Sequence, residues 1–125
     1  SDAVQMVGFA PDEDLPALYS GADVFAFPSL YEGFGIPVLE AMGCRTPVVT
    51  STASSLPEVA GDAALLVPPE DTEALADALQ RAIEDQELRA RMIDAGLSRV
   101  AAFPWRRSAE QLLSAYNALG QRGAA

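Results

Sequence analysis

Glu32 and Glu40 stand with seven residues between them, on either side of the segment Gly33-Phe34-Gly35-Ile36-Pro37. Two ionised carboxylates are acceptor-only groups, and together they can take several hydrogen bonds from hydroxyls. Sugars and riboses offer such hydroxyls. Gly33 and Gly35 have no side chains, so a ligand can come close to the backbone there. Pro37 suits the first turn of a helix. Free amides around Gly35 and Ile36 would then point at anionic or hydroxyl oxygens. From the residues alone two readings stay open. One is a ligand crevice. The other is a tight turn followed by a glutamate that complements the helix dipole. The Gly-x-Gly lacks the third glycine of a dinucleotide fingerprint.

The composition removes other chemistries. The 125 residues include 18 acidic and 8 basic ones, a formal charge of -10, and every basic residue is arginine. There is no histidine, so no histidine triad and no histidine-ligated metal can form within the chain. A duplex-binding module needs a basic footprint, which is missing, so no nucleic-acid partner is expected. The one cysteine, Cys44, permits neither an internal disulfide nor a cysteine-cluster zinc site. It reads as a small buried apolar residue, since no Lys or His flanks it to lower its pKa. No apolar run is long enough for a membrane span, so no transmembrane segment is expected. Phe103, Trp105 and Tyr116 could form a sugar-stacking platform, but their helical spacing favours core packing. Arg106-Arg107 is too small a charge on so acidic a chain to make an anion site.

The elements that must hold the loop follow from local pattern. The length fits one domain. Residues 4–9 read as a strand. Asp12-Glu13-Asp14 supplies an N-cap and an acidic first turn for a helix that carries Leu15, Leu18 and Tyr19 and ends at Gly21. Val24-Phe25-Ala26-Phe27 suits a strand buried on both faces of a parallel sheet. Residues 37–43 form a short helix, and residues 47–50 a strand opened by Pro47. Ser55-Leu56-Pro57-Glu58 has capping-box spacing, and residues 63–67 make a fourth strand. Asp71-Thr72 caps a helix with Leu75, Ala78, Leu79, Ala82 and Ile83 on one stripe. Leu88, Met92, Ile93, Leu97 and Val100 form a second stripe, and a third runs from Trp105 to Leu119. The chain is therefore expected to be α/β, a parallel sheet with right-handed crossovers, flanking helices and a helical C-terminal half.

The run Pro28-Ser29-x-Tyr31-Glu32-Gly33-Phe34-Gly35-Ile36-Pro37-x-Leu39-Glu40-Ala41-Met42 resembles the signature of retaining glycosyltransferases of the GT-B fold, the glycosyl transferase group 1 family. The family's Glu-x7-Glu motif falls on Glu32 and Glu40. Val7-Gly8-Phe9, Thr46-Pro47-Val48-Val49, the stretch from Leu56 to Ala63, Leu66-Val67-Pro68 and Phe103-x-Trp105 extend the likeness over about residues 4–119. Where the family often has glycine this chain has Arg45, which would then adopt a backbone conformation that glycine prefers.

The resemblance implies a function and a place for each residue. The donor would be a nucleotide-diphosphate sugar. Glu32 would be the catalytic carboxylate and bind hydroxyls of the donor sugar. Gly33, Phe34, Gly35 and Ile36 would line that sugar and its distal phosphate. Glu40 would accept from the ribose, and Phe9 would lie near the base. Neither a metal nor another cofactor is implied. The chain would be one partial nucleotide-sugar-binding domain over residues 1–125, the C-terminal part of a GT-B enzyme. Its acceptor domain, and the first two strands with the Arg and Lys that hold the diphosphate, would lie elsewhere. The rival reading is a non-catalytic binding or interaction module on the same fold; a non-hydrolysing sugar-nucleotide epimerase fits the Glu32 to Glu40 run less well. The expected location is cytoplasmic, with peripheral membrane association of the parent left open.

A Rossmann-like order 3-2-1-4-5-6 would make the four strands here the third to the sixth. The fourth, at residues 23–28, would lack a neighbour on one side. Exposed edges recruit strands, so either residues 4–9 swing over to it or two chains associate; association is the favoured expectation.

Overall fold

The structure, a computed structural model, describes residues 3–8, 10–28, 35–53, 56–104 and 110. A single 3-10 turn at Asp12–Asp14 leads into helix α1, Leu15–Gly21. Strand β1, Phe25–Phe27, is followed by α2, Ile36–Gly43. Next come β2, Val48–Ser51, α3, Leu56–Ala60, and β3, Leu65–Val67. Helices α4, Thr72–Glu84, and α5, Gln86–Ala102, complete the described chain.

The three strands lie side by side in the order β1-β2-β3, all parallel. Phe25 pairs with Val48 and Phe27 with Thr50, while Val49 pairs with Leu65. This is the adjacency expected for the fourth, fifth and sixth strands. β2 is central and wholly buried. Alternation along it sends Val48 into one apolar cluster and Val49 into another. Val48 joins Val38, Leu39 and Met42 of α2 with Leu56 and Val59 of α3. Val49 joins Val67 with Ala78 and Ala82 of α4 and Met92 of α5. Helices thus cover both faces of the sheet. The buried Thr50 hydroxyl is satisfied by the Phe27 carbonyl at 2.8 Å, which ties β2 to the end of β1.

Helix ends follow local chemistry closely. Asp71 accepts from the Ala74 amide at 2.9 Å, as its capping position predicts. Asp85 does the same for α5 through Leu88, and this cap separates two helices that read as two stripes. At the end of α2 the Arg45 amide bonds to the Met42 carbonyl and the Thr46 amide to the Ala41 carbonyl. That is a Schellman closure, which places Arg45 at the left-handed position, φ 63. The expected strain is therefore present. Arg45→Gly should raise stability by up to about 1 kcal/mol, the strain relieved being partly offset by a more flexible unfolded chain. Urea denaturation checks this; a loss of stability would mean that the arginine side chain contributes more than its backbone costs.

Several expectations change. Residues 4–8 form no strand: they pair with nothing in the sheet, and Val4, Met6 and Val7 are exposed, Met6 at 93%. A strand exists only through its ladder, and these residues pair with no strand among the described residues. They also do not repair the β1 edge. β1 is not buried on both faces, because it lies at the sheet's edge and Ala26 is exposed. Asp12-Glu13-Asp14 gives the acidic turn but no side-chain cap bond; the turn closes through the Asp14 amide on Pro11. Ile83, about 100° round the helix from Ala82, leaves the buried stripe and is exposed. Cys44 is half-buried. Phe103 is buried in the core as read, with the Arg99 guanidinium 5.4 Å from its ring centre. Ser55, Trp105 and Tyr116 lie outside the described residues.

Candidate functional site

The loop after β1 delivers the chain into α2 through Gly35. Gly35 is buried and left-handed, φ 63, and caps the helix without a side chain. Its carbonyl already accepts from the Val38 amide at 3.0 Å. A Cβ at this position would come within 2.9 Å of Leu56 Cδ2 and 3.5 Å of Val59 Cγ1. The turn is thus pressed against α3, and glycine is required twice: for its dihedral angle and for its lack of volume. Ile36 and Pro37 are half-buried at the start of the helix, with the proline in the first turn as expected. The first amides of α2 are therefore presented just beyond the C-terminal end of a parallel strand, the usual ligand position in an open α/β sheet.

Arg99 of α5 fixes α3 from behind. Its Nε donates to the Val59 carbonyl at 2.8 Å and its Nη2 to the Glu58 carbonyl. Gly96, one turn earlier, is buried against Met42, where a Cβ would sit 3.2 Å from the Met42 Cγ. The last long helix thus clamps both α2 and α3, the two walls of the Gly35 turn. Arg89 ties the same helix to the approach of β1, donating to the Asp23 carbonyl at 2.6 Å.

Glu40 lies on the exposed side of α2, between the buried Leu39 and Ala41. It lines a cavity of about 550 Å³ with Asp12, Leu15, Tyr19, Leu39 and Cys44. The Tyr19 phenol and the Glu40 carboxylate share this cavity, close enough to interact electrostatically. Burial first, then the charge and hydrogen bond of Glu40, and then the charge of Cys44, push the Tyr19 phenol above its ordinary 10.0. An unfolded chain therefore loses this proton first as pH rises. The stability held by Tyr19 is whole below pH 10 and is lost as pH climbs through the raised folded value. With no lysine in the chain, few groups titrate there. The urea midpoint should fall as pH rises above about 10, and fall less in Tyr19→Phe; equal slopes for both proteins would refute this.

Of the residues singled out in the sequence, Gly35 and Ile36 stand at the start of α2, and Glu40 lies about one turn further along it, beside a cavity whose lining includes neither. Phe9, Glu32, Gly33 and Phe34 lie outside the described residues. Tyr19 was not foreseen at the site, where it reads as one apolar position of α1. The available signal was its hydroxyl, since a partly buried tyrosine needs a polar partner. No helix among the described residues is long and apolar enough to cross a membrane.

The family model for glycosyl transferases group 1 matches residues 1–99. The chain is 43% identical over 116 residues to O-antigen chain mannosyltransferase B of Escherichia coli, covering 93% of this chain and 30% of that protein. Sucrose-phosphate synthase from Thermosynechococcus elongatus superposes with a TM-score of 0.77 at 38% identity, over 98% of this chain and 31% of that one. The C-terminal domain of a glycosyl transferase group 1 family protein from Francisella tularensis gives a TM-score of 0.69 at 31% identity, over 78% of this chain and 51% of that domain. The chain spans between 14% and 30% of the length of curated relatives it matches. The parallel sheet with helices on both faces is that of GT-B glycosyltransferase domains. By the family match and by these likenesses, the chain belongs to the glycosyl transferases group 1 family.

Proposed function

We propose that residues 1–125 form one partial domain, the donor-binding part of a retaining glycosyltransferase that moves a hexosyl group from a nucleotide-diphosphate sugar to an acceptor. The observation that carries this reading is the buried, left-handed Gly35 turn, which opens α2 at the end of β1 with Glu40 beside a cavity. Glu40 accepts from the ribose hydroxyls. The amides from Gly33 to Ile36 hold the distal phosphate and the sugar, and Glu32 binds the sugar as the catalytic carboxylate. Phe9 lies by the base; the cavity's reach to Asp12, two residues beyond Ala10, supports that placement. No cofactor or metal enters the reaction. The acceptor site belongs to a longer parent in the cytoplasm.

Calorimetry of the full-length parent against a panel of nucleotide-diphosphate hexoses tests the reading. At least one should bind. A folded parent that binds none is instead an interaction module. The free β1 edge, with Ala26 exposed, supports self-association of the 125-residue chain. Sedimentation at micromolar concentration should show dimers, and a clean monomer would rule them out.

A further inference from the structure

We propose that Tyr19 is a positioning residue for Glu40, its hydroxyl setting the carboxylate in the orientation that receives the ribose of the donor. The proposal rests on the reading of Glu40 given above. An exposed glutamate on a helix samples many rotamers, and binding must select one. Tyr19 is placed to make that selection beforehand. It lies on α1, across the cavity from α2, and both residues line the same space.

Tyr19 is itself held at both ends. Its ring meets Phe25 edge-on, with centres 5.2 Å apart and planes at 89°. Phe25 in turn stacks on Phe27 at 5.7 Å, so the aromatic residues of β1 back the tyrosine. The Thr46 hydroxyl, buried beyond the end of α2, donates to the Tyr19 carbonyl. The same turn that closes α2 therefore grips α1. The phenol that shares the cavity with Glu40 is thus anchored by the sheet and by the far end of the helix that carries Glu40.

The chemistry is compatible with a ligand. An ionised carboxylate has about four acceptor positions. The tyrosine takes one and leaves room for two vicinal hydroxyls. A neutral phenol brings no charge of its own to the site. A side chain that only packed α1 onto the sheet would do as well with phenylalanine.

The test uses the full-length parent with the nucleotide sugar found by the calorimetric screen. Tyr19→Phe keeps the ring and its contact with Phe25. Donor KM should rise roughly three- to tenfold, the loss of one hydrogen bond's worth of preorganisation, with kcat changed less than about twofold. A second measurement separates positioning from packing: binding of ADP, GDP and UDP against their 2′-deoxy forms. Removing the 2′-hydroxyl should weaken binding to the wild type, and this penalty should shrink in Tyr19→Phe. In a Glu40→Gln background, Tyr19→Phe should add nothing further, the signature of two groups acting as one. An unchanged donor KM in Tyr19→Phe overturns the proposal, as does a raised KM with an undiminished 2′-hydroxyl penalty. Glu40→Gln with wild-type donor KM is a different result: it removes the ribose reading of Glu40 and the proposal with it.

Discussion

Gly35→Ala should lower the stability of this domain by roughly 2–5 kcal/mol and strip the parent of most of its transfer activity. Two costs add. A left-handed φ of 63 is unfavourable for alanine by about 1–2 kcal/mol. The new Cβ would also sit 2.9 Å from Leu56 Cδ2. Leu56 is fully buried, so its methyl has no open space to turn into, and the shift must pass to α3 or to the start of α2. Forced repacking of this kind costs about 1–3 kcal/mol. For a domain of this size the sum corresponds to a Tm lower by roughly 8–20 °C. Gly43→Ala is the control on the same helix. Gly43 has open space where a Cβ would go and no positive φ, so alanine there should be neutral or stabilising by up to about 1 kcal/mol. Thermal melts read both, and donor binding at low temperature separates a displaced α2 from an unfolded one. A Gly35→Ala domain with wild-type Tm would show that the turn is not held as described.

Local rules carried far where the controlling interaction is short-range. Pro37 in the first turn of α2, Asp71 capping α4 and Arg45 in a glycine-like conformation are each decided within about five residues. The parallel sheet was legible from alternating apolar runs and helices, and the order of its three strands from the family resemblance. What sequence could not show depends on distant partners. Residues 4–8 have the composition of a strand, but pairing is a property of two segments. The run Val24-Phe25-Ala26-Phe27 looks like a central strand because its residues are apolar, yet its position at the edge leaves Ala26 in solvent. Arg89 and Arg99 look like solvated charges on a helix. They are instead donors to backbone carbonyls at Asp23, Val59 and Glu58, far away in the chain. Gly96 looks like a weak point in α5 until Met42 is seen against it. The site divides the same way. The glycine turn and the glutamate are marked by type and spacing together with the family resemblance; the tyrosine that shares the cavity with the glutamate is brought there only by the packing of α1 on α2.

The two glutamates of the loop should fail differently when removed. Glu40 is exposed, and truncating it leaves the Tyr19 hydroxyl free to turn to water, so Glu40→Ala should change stability by less than about 0.5 kcal/mol. Loss of a charged acceptor should cost roughly 1.5–3 kcal/mol of donor affinity, a ten- to hundredfold change. The ribose lies away from the carbon that reacts, so its contacts are the same in the bound donor and in the transition state. Such uniform binding is read in KM. Glu32 is assigned to the sugar itself, whose ring gains positive charge as the bond to the leaving diphosphate stretches. A carboxylate there stabilises the transition state more than the ground state, so Glu32→Ala should lower kcat by a comparable ten- to hundredfold while donor KM moves little. Steady-state kinetics of the parent with the donor varied at saturating acceptor resolves the two. Wild-type activity in either variant would remove that residue from the site. Exchanged signatures, with Glu40→Ala slow in kcat and Glu32→Ala weak in KM, would turn the donor end for end along the Gly33 to Ile36 turn.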